Sequence, residues 1–427
     1  MHKPFLATAF AAAIVIACGL APMAHAEKSA AKADSTSDFQ LPPLPAAAHA
    51  KQSIVVDGHT LNYEVTVGWL PVRDDKGKTT AQVVYTAYTV PGRNRPVTFA
   101  FNGGPGAASV FLNMGAIGPK IVKFGVDGDT PSEPATLHDN PSTWLPFTDL
   151  VFIDPVGTGY SRSLVDDKQS TKDFYSTDAD IAYLSRIVYD WLVKNGRMES
   201  PKYITGESYG GFRGPRITYY LQTRLGVAMN GMVLLSPYLD PLAWSDEFTS
   251  PMAWMTTLPS IAAAHLEREG KLGSRYDSNF TAWDPFPYAP HQRSGDPILN
   301  GIIAPTTTAM VHFVTQTVGW KYDGRYNTLS YDVGRLWHDD DDANDGSVKQ
   351  LREAVATDPN LRVLIAHGWD DLSCPFMVSV LAVDQMPAMG DPTRVQVKEY
   401  PGGHMFYARP ASDALFVKDV RALFDKS

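Results

Sequence analysis

The sequence predicts an α/β protein: a mostly parallel central sheet flanked by helices, with a helical insertion in its second half. Three observations predict it. Six short, nearly continuous apolar runs recur, most ending in Gly or Asp: "PVTFAFNGGPG", "LVFIDPVGTG", "KYITGESYGG", "GMVLLSPYLD", "LRVLIAHGWDD" and "VQVKEYPGGH". Strands buried on both faces read this way, whereas strands with one wet face alternate. Helical patterns lie between several of the runs, over 178–194, 211–224 and 347–357, and such alternation is the mark of a parallel sheet. The polar residues gather at the ends of the runs, where these sheets keep their binding crevice.

The elements follow in chain order. "MHK" gives a positive start, "PFLATAFAAAIVIACGLAPM" is apolar, and "AHA" at 24–26 is a small-x-small cleavage pattern. Together they predict an export signal, cleavage after Ala26, and a periplasmic or secreted protein. "VIAC" at 15–18 also resembles a lipoprotein signal, which would put a lipid on Cys18. No later segment is apolar for the length of a membrane span. The chain has 2 cysteines. Loss of the signal leaves Cys374 alone, so no intrachain disulfide is expected.

Residues 27–50 are small, polar and Pro-rich, and predict a flexible leader. The domain is expected over 51–427. From 52, "SIVVDGHTLNYEVTVGWLPV" and "TAQVVYTAYTV" alternate and are β-branched or aromatic, which predicts antiparallel strands at a sheet edge. Between about 240 and 325 the strand–helix alternation stops, and a helical cap over the sheet edge is expected. "HDDDDANDG" at 338–346 reads as a solvated acidic loop. An EF-hand is excluded, since Ala343 stands where a ligand oxygen belongs and Arg352 where the bidentate Glu belongs. A hydrophobic content of 44% supports a sizeable core, and a net charge of -9 with no basic run argues against nucleic acid.

"TGESYG", residues 205–210, carries the chemistry. Its Gly-x-Ser-x-Gly frame follows a strand pattern and precedes a helix pattern, the context of a nucleophile elbow in α/β-hydrolases. Ser208 would be the nucleophile, with Gly206 and Gly210 leaving room for the sharp turn. A serine needs a base, and the chain order in this fold class is Ser, then Asp or Glu, then His. Asp370 and Asp371 follow one strand run and His404 follows the next. Spacing alone leaves the choice between the two aspartates open. His367 is a second candidate base, but it sits within a strand end and ahead of the acid. "FNGGPG" would present a bare backbone N–H, from Gly104, beside the N–H of Tyr209 as an oxyanion pair. No metal or cofactor is implied, since no Cys/His ligand spacing occurs.

"NGGPG", "NPSTW", "DPVGTGYS", "GESYGG", "GWDDLSCP" and "GGHM" stand in an order that resembles the serine carboxypeptidase family, over about residues 50–427. The resemblance implies an α/β-hydrolase fold and release of the C-terminal residue from peptides or proteins. It implies Ser208 as nucleophile, His404 as base and Asp371 as acid, because the family's acid lies three residues before the position of Cys374. It implies Gly104 and Tyr209 as the oxyanion pair, and Asn102 with Glu207 as the pair that binds the substrate's free carboxylate. A carboxyl before the nucleophile is coherent if Glu207 is protonated and donates, since two charged carboxylates repel. Three positions depart from the pattern. Ala107-Ala108-Ser109 replaces Cys-Ser-Ser, the 240–325 stretch aligns with nothing, and "SPYLD" at Ser236 replaces Asn-Gly. The rival readings are an acyltransferase or esterase on the same triad, and a binding protein without turnover.

Overall fold

The computed structural model describes residues 41–123, 135–240, 251–269, 297–338, 346–387 and 389–425. The expected export signal, Cys18 and most of the acidic run lie outside the described residues. Twelve strands occur there: β1 (Ala48–Val56), β2 (His59–Arg73), β3 (Thr79–Thr89), β4 (Val97–Phe101), β5 (Lys120–Lys123), β6 (Thr136–Asp139), β7 (Asp149–Ile153), β8 (Arg162–Ser163), β9 (Lys202–Glu207), β10 (Gly231–Leu235), β11 (Arg362–Gly368) and β12 (Val395–Tyr400). The helices are α1 (Val110–Gly115), α2 (Asp167–Phe174), α3 (Thr177–Lys194), α4 (Tyr209–Arg224), α5 (Pro251–Arg268), α6 (Pro297–His312), α7 (Tyr331–Leu336), α8 (Val348–Thr357), α9 (Phe376–Asp384) and α10 (Pro410–Phe424).

One sheet holds ten of the strands, in the order β1-β2-β3-β7-β4-β9-β10-β11-β12 with β8 beside β3. The first three strands and the β3–β7 junction are antiparallel. From β7 to β12 every neighbour is parallel. The six apolar runs are these six parallel strands, and the alternating stretches are the antiparallel edge.

The reason the runs are continuous is visible in the core, which is two apolar layers, one on each face of the sheet. Phe99, Phe101, Val151, Ile153, Ile204, Leu234, Val363 and Ile365 point into one layer. Their strand neighbours Ala100, Phe152, Tyr203, Val233, Leu235, Leu364 and Ala366 point into the other. A period of two therefore sends every residue into an apolar layer. Leu184, Ile187 and Trp191 of α3, Ile217 and Leu221 of α4, and Leu351 and Val355 of α8 cover the first face. Val110 and Phe111 of α1, Met310 of α6, and Phe416 and Val420 of α10 cover the second.

The leader expectation needs one correction. The sheet begins at Ala48, inside the 27–50 stretch, because Ala48 and Ala50 pair with Val67 and Val65 of β2. Backbone pairing along a strand edge is indifferent to small side chains, so composition concealed it. Leu44 is buried, and Trp69 donates to the Pro45 carbonyl at 3.1 Å, so order extends ahead of the strand. Within 240–325, the described elements are helical: α5 packs on α9, and α6 packs on α1 and β5.

Candidate active site

The parallel strands end along one edge of the sheet, and the residues that follow them meet there. Asn102 follows β4, Ser208 follows β9, Asp370 and Asp371 follow β11, and His404 follows β12. Ser208 is the turn itself, with φ 59° and ψ -121° at the N-terminal boundary of α4. A non-glycine residue at positive φ costs roughly 1–3 kcal/mol and persists only where its surroundings impose it. They do so here. A Cβ on Gly206 would strike the Gly210 carbonyl, and one on Gly210 would strike the Phe101 carbonyl, so the strand-to-helix reversal is too tight for any side chain at either glycine.

His404 Nδ1 lies 2.9 Å from Asp371 Oδ2. Asp371 Oδ1 accepts from the N–H groups of Ser373 and Cys374, both at 2.9 Å. One carboxylate oxygen is thus anchored to backbone and the other is left to orient the imidazole. The two aspartates part here: Asp371 meets the imidazole, and Asp370 instead faces Arg409, with Nη2 at 3.9 Å from Oδ2. His367 is fully buried, its Nδ1 3.1 Å from the Cys374 carbonyl and its Nε2 2.8 Å from Ser379 Oγ. Burial pulls its pKa down to about 4, and both ring nitrogens are engaged by the scaffold.

Glu207 and Asn102 meet beside Ser208. Asn102 Nδ2 donates to Glu207 Oε2 at 2.6 Å, and Tyr407 OH donates to the same oxygen at 2.9 Å. Asn102 is itself held, accepting from the Leu112 N–H at Oδ1 and from Arg213 Nη1 at its carbonyl. Burial raises the Glu207 pKa above the usual carboxylate range, opposed by His404, Tyr407 and Asn102.

Gly104 has φ 102°, and the residue before it makes the close approach. A Cβ on Gly103 would sit 2.7 Å from Tyr209 N and 2.8 Å from Ser208 Cβ. Gly103→Ala must therefore push the β4 loop off the serine turn. Misplacement on the order of 1 Å costs about a hundredfold. We expect Ser208 to react with a fluorophosphonate about a hundredfold more slowly in this variant, measured under conditions where its circular dichroism matches the parent.

Where the family pattern carries Cys-Ser-Ser, hydrogen bonds pin the loop. Ser109 donates from its N–H to Asp154 Oδ1 at 2.9 Å and from its hydroxyl to the Ile153 carbonyl at 2.5 Å. At the departure near Ser236, the residue has φ 40° and its hydroxyl donates to the His404 carbonyl at 2.8 Å.

Cys374 lines the site. Its N–H donates to Asp371 Oδ1, and burial and then Asp371 push its thiol pKa well up. Asp371, Cys374 and His404 each bring one ligand atom within 4.8 Å of the others. A bulky thiol reagent should react slowly, because thiolate is scarce, and should then block Ser208. Full reactivity of Ser208 after complete modification of Cys374 would contradict this placement.

Sequence reading missed Tyr407, Gly103 and Arg213. Arg213 is buried against Asp180 at 2.6 Å. An arginine on the first turns of a helix carries no mark of this, and Tyr407 shows only its nearness to His404 in sequence.

A strained serine at a strand-to-helix reversal, on the carboxyl edge of a mostly parallel sheet and with an Asp–His pair two and three strands away, defines an α/β-hydrolase. The comparisons place it within that class. A family model described as serine carboxypeptidase matches residues 56–270, half of the 427-residue chain. The chain belongs to the serine carboxypeptidase family. It is 31% identical over 196 residues to serine carboxypeptidase-like 50 of Arabidopsis thaliana, covering 44% of this chain and 39% of that one. It is 26% identical over 179 residues to serine carboxypeptidase S10 family member 1 of Dictyostelium discoideum, covering 41% and 40%. The chain thus spans less than half the length of the curated relatives it matches. Among solved structures, a prohormone-processing carboxypeptidase from Saccharomyces cerevisiae superposes with a TM-score of 0.61 at 14% identity, covering 85% of this chain and 91% of that one. That likeness concerns the fold. Among the described residues, no helix is long and apolar enough to cross a membrane.

Proposed function

We propose that the protein is a serine carboxypeptidase that hydrolyses the last peptide bond of a chain with a free C-terminus. Ser208 attacks the scissile carbonyl while His404 takes its proton. Asp371 holds the imidazole tautomer and stabilises the imidazolium. The N–H groups of Gly104 and Tyr209 receive the oxyanion. His404 then protonates the leaving amine, the terminal amino acid departs, and a water activated by His404 cleaves the acyl-enzyme ester.

The observation that carries this reading is the buried cluster of Asn102 and Tyr407 on Glu207, the residue before Ser208. Asn102 and Tyr407 both donate to Oε2 of Glu207. A neutral Glu207 then carries its proton on Oε1 and can donate it to a substrate carboxylate, with the Asn102 amide alongside. An endopeptidase would gain nothing from such a pair, whereas an exopeptidase needs it to find a chain end.

The test uses two N-blocked peptides, identical except that one is C-terminally amidated. Hydrolysis of the free acid far above the amide supports the reading. Equal cleavage of both removes the role of Glu207 and Asn102. Turnover of esters alone, or transfer to an added alcohol, moves the protein to the acyltransferase or esterase reading.

A further inference from the structure

We propose that Arg409 is a positioning residue that ties the loops carrying Asp371 and His404 to helix α5, through Glu267 of that helix. The proposal rests on the reading of Asp371 and His404 as acid and base. Arg409 lies five residues past His404, at the start of α10. Its guanidinium forks onto Glu267, with Nη1 at 2.5 Å from Oε1 and Nη2 at 3.2 Å from Oε2. The same Nη2 lies 3.9 Å from Asp370 Oδ2, on the residue before Asp371. One side chain therefore joins the loop after β11, the loop after β12 and the stretch expected as a cap.

The pairing is largely withdrawn from water, with Arg409 12% and Glu267 7% exposed at the side chain. Planar fork-on-carboxylate contacts fix orientation as well as distance, and a lysine cannot reproduce them. The location gives the fork leverage, since Asp370 and Asp371 are adjacent buried carboxyls on one loop. Asp371 engages His404 directly. Arg409 sets a permanent positive charge against Asp370, and Glu267 draws on that charge from the other side. Other titratable groups near His404 are Glu207 of β9, His367 of β11 and Cys374 ahead of α9. Glu267 stands on a different element, α5.

The experiment follows the rate of fluorophosphonate labelling of Ser208, and kcat/KM where a substrate is turned over, against pH. Glu267→Gln keeps the shape and one of the two acceptor oxygens but removes a negative charge. It should move the acid limb, where His404 becomes protonated, to lower pH by roughly half to one unit. Arg409→Lys keeps the charge but loses the fork. It should leave the limb in place and lower the plateau rate several-fold. A Glu267→Gln profile that superimposes on the parent, or a parental plateau in Arg409→Lys, overturns the proposal. If Arg409→Lys does not fold, the nearly isosteric Glu267→Gln decides alone. Failure of the parent protein to label at Ser208 would instead overturn the assignment of the triad, and this proposal with it.

Discussion

Ser208→Ala is expected to lower kcat by on the order of 10⁶-fold while leaving the protein folded. The size of the loss follows from what the hydroxyl does in the proposed mechanism. Without Oγ no acyl-enzyme forms, and the His404–Asp371 pair has nothing to activate but water, held in a site shaped for another nucleophile. Residual turnover would come from the oxyanion donors and substrate binding alone. Alanine keeps the Cβ that the turn already accommodates at φ 59°. Thermal stability should therefore change little. Peptide hydrolysis in burst and steady-state assays, with the melting temperature as control, checks this. A variant retaining a tenth of the parent rate would assign the chemistry elsewhere.

The second large effect concerns Glu207 and its pH dependence. Burial raises its pKa, with His404, Tyr407 and Asn102 opposing. Below that raised value Glu207 is neutral and donates to the substrate carboxylate; above it the two anions repel. For a free-acid peptide, kcat/KM should therefore fall as pH rises through the pKa of Glu207. An amidated peptide should lack that limb. Glu207→Gln imitates the neutral acid: its carbonyl oxygen accepts from Asn102 and Tyr407, and its amide donates. KM for the free acid should then become flat across that range, staying near the parent value at acidic pH. Glu207→Ala removes the donor. A hydrogen bond to a charged group contributes about 1.5–3 kcal/mol, so KM should rise roughly 10- to 100-fold, with the amidated peptide unaffected. A pH-dependent KM in Glu207→Gln, parallel to the parent, would locate the titrating group at another residue.

The sequence by itself determined the six parallel strands, the antiparallel edge and the order of the chemical residues. Strands buried on both faces have no polar positions to spare, so their apolar runs stand out. A turn as tight as residues 206–210 admits only glycine at two places, which leaves a readable frame around Ser208. Ser208, the Asp370–Asp371 pair and His404 were legible because each lies within four residues of the end of one of those strands, whereas Asn102 and Glu207 were legible only through the family resemblance.

Tertiary structure alone decided which groups touch. The spacing of residues 370 and 371 could not choose between two neighbouring aspartates. The choice depends on which carboxylate the loop aims at His404, and backbone donors from Ser373 and Cys374 set that aim. Cys374 could be placed beside Asp371 and His404 only once β11 and β12 stood side by side. Tyr407 reaches Glu207 across 200 residues of chain, and Arg409 reaches Glu267 across 142. A hydrogen bond between such distant positions imposes no local period or composition, because both partners are ordinary polar residues until the fold removes them from water. Its physical worth exists only in the assembled interior, so no pattern along the chain records it.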